Sequence, residues 1–426
     1  MLLMLPLTSA YTAETALSSK DLPEPLTLDV ALSLLDLQHP DLRYVDADVQ
    51  IAKSALQKSL SANDLNISLK ADARWIDPSV LAPNQSDEDH RLSLSVNKTL
   101  YDFGRSASLS DMASQQVVSQ NLLYLGARQQ QYLTVMKRYF DVVLADLQFY
   151  RYNEEMAVAY IQFDRMQNRQ KLGQYTEVEV AEKEVEYQRV RRLRTYSQNQ
   201  QRATRALLAQ SLNRPGNLPA TVAKPELDVV SRKIPEVEVL QKEVSENNPL
   251  LAALRSKLAA AKNNIEYARA SDNPVLSAGV SAYEYERETS SSNKWEASIT
   301  LDIPLWSGER VDAAVAKAKA ESYKVEAQLA QQEQAIQQRV LELWLNLETL
   351  KIKHEEMQVA MDFTEIALDK SRALYELEVT TDLGYSMVRF SEAERRLVET
   401  NFEIALAWAQ LDALSGKLLD KVSKSQ

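Results

Sequence analysis

The 426-residue chain carries a formal charge of −11 and contains no cysteine, only 8 glycines and 13 prolines. These figures exclude disulfides, thiolate metal sites and a lipid-modified N-terminal cysteine, and they argue against non-specific nucleic-acid binding. Ala, Leu, Gln, Glu, Lys and Arg dominate, a mix that favours long helices over a sandwich or an α/β sheet.

No run of 18 or more apolar residues occurs, so no membrane-spanning helix is predicted. Residues 1–13 read as an apolar h-region followed by small residues, a signal peptide cleaved after Ala10 or Ala13, although the usual basic n-region is absent. The first repeat, 14–212, then brings His39-Pro40-Asp41-Leu42 and a helical stretch. Leu65, Ile67, Leu69, Ala71, Ala73 and Trp75 alternate with polar neighbours, which predicts a strand over about 65–76. A returning strand over about 91–101 ends in Leu100-Tyr101-Asp102-Phe103-Gly104-Arg105. The loop between them is polar and holds Asp87, Glu88 and Asp89, as an external surface would.

Helices are predicted over about 106–171 and 176–211, because only Gly126 interrupts the first and neither Gly nor Pro interrupts the second. At 1.5 Å per residue a helix of some 65 residues runs about 100 Å, beyond any globular core, and needs partner helices along its length. Arg189, Arg191, Arg192 and Arg194 read as a solvated helix face. Between the two helices, Gly173 suits a left-handed turn, and Thr176 with Glu179 makes a capping box.

A Pro-rich linker at 213–235 precedes a second copy of the pattern, 236–418, and a tail, 419–426. Adding 205 takes Leu100 to Leu305, Tyr101 to Trp306, Arg105 to Arg310 and Thr176 to Thr381. Strands are predicted at about 275–286 and 294–304, and long helices at about 311–377 and 382–415. Ile336, Val340, Leu343, Leu347 and Leu350 form one face of the first of these helices. The fold class is therefore mostly α with a small β part, built as two internal repeats.

The four strands have the length to cross a bilayer, about 9–11 residues. Trp75, Tyr283, Tyr285 and Trp295 flank the hairpin loops, and Tyr101 and Trp306 lie at the opposite strand ends, as two interfacial girdles would. Four strands cannot close a barrel, and open edges in hydrocarbon cost several kcal/mol per unsatisfied group. A membrane reading therefore implies an oligomer, and three copies give twelve strands. The competing class is a soluble coiled-coil scaffold, which explains the helices but not the four strands. The heptad-like stripe also lapses at Glu333 and His354. Catalysis has no motif to rest on: P-loop, GxSxG, HExxH and GxGxxG are all missing. His39, His90 and His354 give no metal-ligand pair, so neither metal nor cofactor is expected.

Leu100-Tyr-Asp-Phe-Gly-Arg105, Pro304-Leu-Trp-Ser-Gly-Glu-Arg310, Asn248-Pro249 and Ala270-Ser-Asp-Asn-Pro274 resemble the strand–helix junctions and repeat starts of the TolC-like outer-membrane factor (outer membrane efflux protein) family. The resemblance covers about 26–418. It implies a homotrimer in the outer membrane of a Gram-negative bacterium. Four transmembrane β-strands per protomer would build a twelve-stranded barrel, and long antiparallel helical hairpins a periplasmic tunnel. It further implies passive export, as drug or metal efflux or type I secretion, with a periplasmic adaptor protein and an inner-membrane RND pump or ABC exporter as partners, lipid around the barrel and no nucleic acid. The adaptor-docking tips would be Leu172, Gly173, Gln174, Tyr175 and Thr176, and Glu378, Thr380 and Thr381. The acidic entrance positions of the family align with Gly384 and Met387, so an entrance gate would fall to Asp382 or to Glu179 and Glu182. Three chains carry about −33, and an acidic lumen would favour cations.

Overall fold

The computed structural model describes residues 22–35, 37–217, 219–228, 231–287, 292–377, 379 and 383–419. The expected signal peptide and the tail from 420 onward lie outside them. The described chain falls into two compact units, one of residues 22–34 and 138–226, the other of 35–137 and 227 onward.

In the larger unit, each repeat begins with a 21-residue helix, α2 (Pro40–Leu60) and α6 (Pro249–Arg269). Both start alike because proline at the first helical position loses no hydrogen bond, while the preceding side chain caps the exposed amides. His39 Nδ1 accepts from Asp41 N at 3.3 Å, and Asn248 Oδ1 accepts from Leu250 N and Leu251 N at 3.0 and 3.1 Å. Each helix ends in one 3₁₀ turn, Ser61–Asn63 and Ala270–Asp272, and then turns into strand.

The strands β1 (Asn66–Asp72), β2 (Arg91–Tyr101), β3 (Val275–Tyr285) and β4 (Trp295–Asp302) form one antiparallel sheet in the order β1-β2-β3-β4. The two repeats thus meet at β2–β3, and β1 and β4 are edges. The first strand is shorter than its alternation suggested. Beyond Asp72 the ladder is interrupted: Arg74 N donates to His90 Nδ1 at 3.3 Å, and an isolated bridge, Trp75–Glu88, follows.

Strand passes to helix through left-handed residues, Phe103 and Gly104 (φ 51° and 94°) and Gly308 (φ 68°). Asp102 Oδ2 accepts from Ser106 N at 2.8 Å, tightening the first of these turns. Long helices follow, α3 (Arg105–Gln170) and α7 (Arg310–Glu376), of 66 and 67 residues. The 3₁₀ turns clasp these junctions in both repeats with the donor reversed: Asn63 Nδ2 donates to Ser106 Oγ at 2.7 Å, and Ser307 Oγ donates to Asp272 Oδ2 at 2.5 Å. Asn273 Nδ2 joins the repeats by donating to the Phe103 carbonyl oxygen at 2.8 Å.

The core of this unit is the α7 stripe. Ile336, Val340, Leu343, Leu347 and Leu350 are all buried against Leu240 and Val244 of α5 (Val237–Asn247), Leu251 of α6, and Ile404, Ala407, Trp408 and Leu411 of α8 (Leu383–Leu414). Each such aliphatic side chain contributes about 1.5–3 kcal/mol on burial. Asn248 Nδ2, donating to the Leu414 carbonyl oxygen at 2.9 Å, fixes the C-terminal end of α8 on the repeat start.

The smaller unit holds α1 (Leu28–Ser33), the distal part of α3 and α4 (Glu177–Ser211). Leu26 makes a parallel bridge with Val222 of the connector. The Tyr139 hydroxyl lies within hydrogen-bonding distance of the carbonyl oxygens of Leu26 (2.9 Å) and Ala223 (2.6 Å). Arg205 binds Asp146 through both terminal nitrogens, at 2.7 and 2.9 Å. The boundary of this unit does not follow the repeats, because these contacts tie the N-terminal segment and connector to distal α3.

Candidate functional site

The registers sort the sheet into two unlike faces. One carries the rows Ile67–Val96–Val280–Ala297, Leu69–Leu94–Ala282–Trp295 and Tyr101–Leu276–Leu301. The other carries Asn66–Asn97–Gly279–Ser298, Ser68–Ser95–Ser281–Glu296 and Lys70–Ser93–Tyr283. On the apolar face Ile67, Leu69, Leu94, Val280, Ile299 and Leu301 remain 46–76% exposed, so this sheet is not the wall of a protein core. An apolar face of this extent marks contact with lipid or another protein. Its rows from Leu276 to Ala282 span about 20 Å along the strand at 3.3–3.4 Å per residue.

The residues expected to form the girdle fall on both faces of the sheet and beyond its ends. Trp295 lies on the apolar row at the outer end. A bulge between Thr99 and Tyr101 turns Tyr101 onto the apolar row at the other end, opposite Leu276. Trp75 and Trp306 are largely exposed. Tyr283 and Tyr285, however, stand on the polar face, opposite Ser93 and Arg91, and stack on each other with centroids 5.7 Å apart. The period of two places them there with Ser277 and Ser281, on the face opposite Trp295.

The polar face at the outer end is rich in charge. Asp72 binds Lys70 at 3.0 Å and Arg91 at 3.2 Å, Arg74 pairs with Asp89, and Arg287 Nη2 donates to the Asn84 carbonyl oxygen at 2.5 Å. Asp72, Arg74, Asp89, Arg91 and Arg287 line a cavity of about 670 Å3. Sequence reading missed the basic cluster because its members come from four separate segments, although their odd or even positions in the alternating strands already place them on one face.

At the first tip the chain leaves α3 by a left-handed turn. Gly173 has φ 72°, its N–H donates to the Gln170 carbonyl oxygen at 2.8 Å, and Gln174 N donates to the Arg169 carbonyl oxygen at 3.1 Å. Leu172 is largely exposed. The capping box is present: Glu179 N donates to Thr176 Oγ1 at 3.3 Å, and Thr176 N donates to Glu179 Oε2 at 2.7 Å. The Thr176 amide, and then its hydroxyl, hold the Glu179 carboxyl below its ordinary range. Glu179 is thereby engaged in the cap, and Glu182 is exposed. Of the second tip, Glu378, Thr380, Thr381 and Asp382 lie outside the described residues. Leu377 and Val379 are exposed, and Gly384 and Met387 lie in the first turns of α8, with Met387 exposed.

The arginine cluster of α4 is not wholly solvated. Arg189 binds Glu186 at 2.7 Å and reaches Glu155 of α3 at 3.6 Å, and Arg194 lies 5.2 Å over the Phe149 ring. These charged and aromatic contacts join α3 to α4, with Val190 buried within the cluster. No helix among the described residues is long and apolar enough to cross a membrane.

Comparison with known proteins shows what these features are similar to. Residues 240–417 match the model of the outer membrane efflux protein family. The chain is 24% identical over 263 residues to Protein CyaE of Bordetella pertussis, a match covering 60% of this chain and 55% of that relative. The chain thus spans little more than half the length of this curated relative. Among solved structures, the CmeC outer membrane channel of Campylobacter jejuni superposes with a TM-score of 0.76 at 13% identity, covering 93% of this chain and 87% of the other. A membrane protein from Pseudomonas aeruginosa superposes with a TM-score of 0.73 at 19% identity, covering 93% and 91%. At these identities the superpositions establish the fold.

Proposed function

We propose that this chain, a member of the outer membrane efflux protein family, is one protomer of a homotrimeric conduit through the outer membrane of a Gram-negative bacterium. The observation that carries the reading is the four-stranded sheet with an exposed apolar face and two unpaired edges. In hydrocarbon such edges must be closed, and three sheets joined edge to edge make a twelve-stranded barrel with the apolar face on lipid and the polar face on the lumen. A soluble helical scaffold would leave this apolar face in water.

The chain is a channel subunit and not an enzyme. Transport through it is passive, by geometry and field. The long helices extend the conduit into the periplasm. Leu172 to Thr176, with the second tip, offer the surface for a periplasmic adaptor, through which an inner-membrane RND pump or ABC exporter supplies the energy for efflux or secretion. Glu182 and the start of α8 are the entrance positions of this reading.

The test is the detergent-corrected mass, by light scattering, of the protein extracted from outer-membrane fractions. A protein mass of three protomers is expected. A monomer or dimer soluble without detergent overturns the reading.

A further inference from the structure

The polar face of the sheet changes in bulk along its length. In the four rows nearest the helices every paired position holds Ser, Thr, Asn or Gly, apart from Val275, Asp302 and Glu296. At Gly279 a Cβ atom would stand 2.6 Å from Asn97 Oδ1, so the Asn97 amide lies sideways along the wall, over the glycine. The next two rows, towards the hairpin loops, carry the only rings among the paired positions of this face. Tyr283 stands opposite Ser93, with Lys70 across β2, and Tyr285 stands opposite Arg91, with Asp72 across β2. The bond from Tyr283 N to the Lys294 carbonyl oxygen, at 2.9 Å, brings Lys294 to the same level.

The two rings differ from the long charged side chains beside them. Lys70 and Arg91 both reach Asp72, at 3.0 and 3.2 Å, on stems that turn about several bonds. Tyrosine turns about two. Tyr283 and Tyr285 also stack, with centroids 5.7 Å apart and planes 25° from parallel, so each ring restricts the other. Both are half-buried, which leaves part of each ring open on the polar side.

We propose that Tyr283 and Tyr285 set the bore of the conduit at its outer end and thereby limit the width of its cargo. The inference rests on the assignment of the polar face to the lumen. A barrel of about eight strands is filled by its own side chains, and one of about 16–18 keeps an aqueous channel. Twelve strands fall between these cases, so the size of the side chains at each level decides how wide the path is. The short side chains of the inner rows leave it open. Two stiff rings per chain, six in a trimer, narrow it at the outer rows.

The chain has no cysteine, so one introduced thiol reports on one place. Ser298→Cys puts it opposite Gly279, two rows further in than Tyr283, at an exposed position. The experiment uses the full chain in the outer membrane of intact cells, with a small maleimide or a branched poly(ethylene glycol) maleimide added outside. The small reagent should label the thiol in trimers and the branched one should not. Adding Y283A/Y285A should admit the branched reagent, and adding Y283F/Y285F, which keeps the bulk, should not. If the alanine pair fails to assemble, Tyr283→Ser or Tyr285→Ser alone should admit it in part. Labelling by the branched reagent with both tyrosines in place, or its exclusion from trimers that lack them, overturns the constriction. Intact trimers whose thiol resists even the small reagent count against the polar face as the lumen, so the two failures are distinguishable.

Discussion

The Arg232 guanidinium lies 3.8 Å over the Trp408 ring while its two terminal nitrogens bind the Asp412 carboxylate at 2.9 and 2.7 Å. One connector residue thus grips two residues of α8 that lie four apart, on one face of the helix. Asp412 is nearly buried and Arg232 is partly open to solvent. Asp412→Ala should therefore cost about 2 kcal/mol, less than the loss of a fully buried pair. Arg232→Lys keeps the charge but loses the planar fork and the stacking, and should cost about 1 kcal/mol. Urea unfolding of the detergent-solubilised protein gives both values, and no cost for Arg232→Lys beside a full cost for Asp412→Ala would show that charge alone matters.

Tyr139 gives the smaller unit a pH limit. Burial raises the pKa of its phenol well above the ordinary value, and the nearby Asp29 charge adds to the shift. A folded-state pKa above the unfolded one means that the stabilisation is fully present below about pH 10. It is then lost as pH rises towards the folded value. Absorbance at 295 nm should show one tyrosine resisting ionisation until the protein unfolds, and the urea midpoint should fall above pH 10. Tyr139→Phe should remove this alkaline dependence and cost about 1–2 kcal/mol, since the Leu26 and Ala223 carbonyl oxygens lose their donor.

At the first tip, the cap and the turn separate assembly from export. Pro cannot adopt the positive φ of Gly173. Gly173→Pro should therefore disturb the tip, as should Thr176→Arg, which removes the cap. Trimers should persist in both, because the sheet lies far along the chain, while export of a reporter substrate falls. Loss of trimers in either variant would count against a docking role. The depressed Glu179 pKa adds a pH term: its contribution is present above about pH 4.5 and is lost as pH falls through the folded value.

Much of this was legible in the sequence. Alternation over Leu65 to Trp75 and over Trp295 to Ile303 placed both strands and their faces, and Thr176 with Glu179 announced the cap three residues apart. What stayed hidden was non-local. Tyr139 meets carbonyl oxygens 113 and 84 residues away, and no periodicity in α3 marks it out from other buried aromatics. The charged rows at the hairpin-loop end draw on Lys70 and Asp72 of β1, Arg91 of β2, and Arg74, Asp89 and Arg287 beyond the strand ends, and only the register joins them. Tyr283 lies near a strand end, but its odd-number parity sets it on the polar face opposite Ser93.

The sharpest test of the sheet compares two neighbouring residues of β2. Leu94 lies on the apolar face between Leu69 and Ala282, and Ser95 on the polar face between Ser68 and Ser281. Both are one residue apart at the same depth, so propensity, strand position and distance from the loops are shared. If the apolar face meets lipid, Leu94→Arg places a charge in hydrocarbon at a cost of about 2–4 kcal/mol near the midplane. Ser95→Arg places the same charge in the lumen, where water solvates it. Trimer yield in outer-membrane fractions should therefore fall steeply for the first variant and little for the second. Equal losses would mean that the two faces see the same solvent, and the sheet would then have to be covered by protein and not by a bilayer.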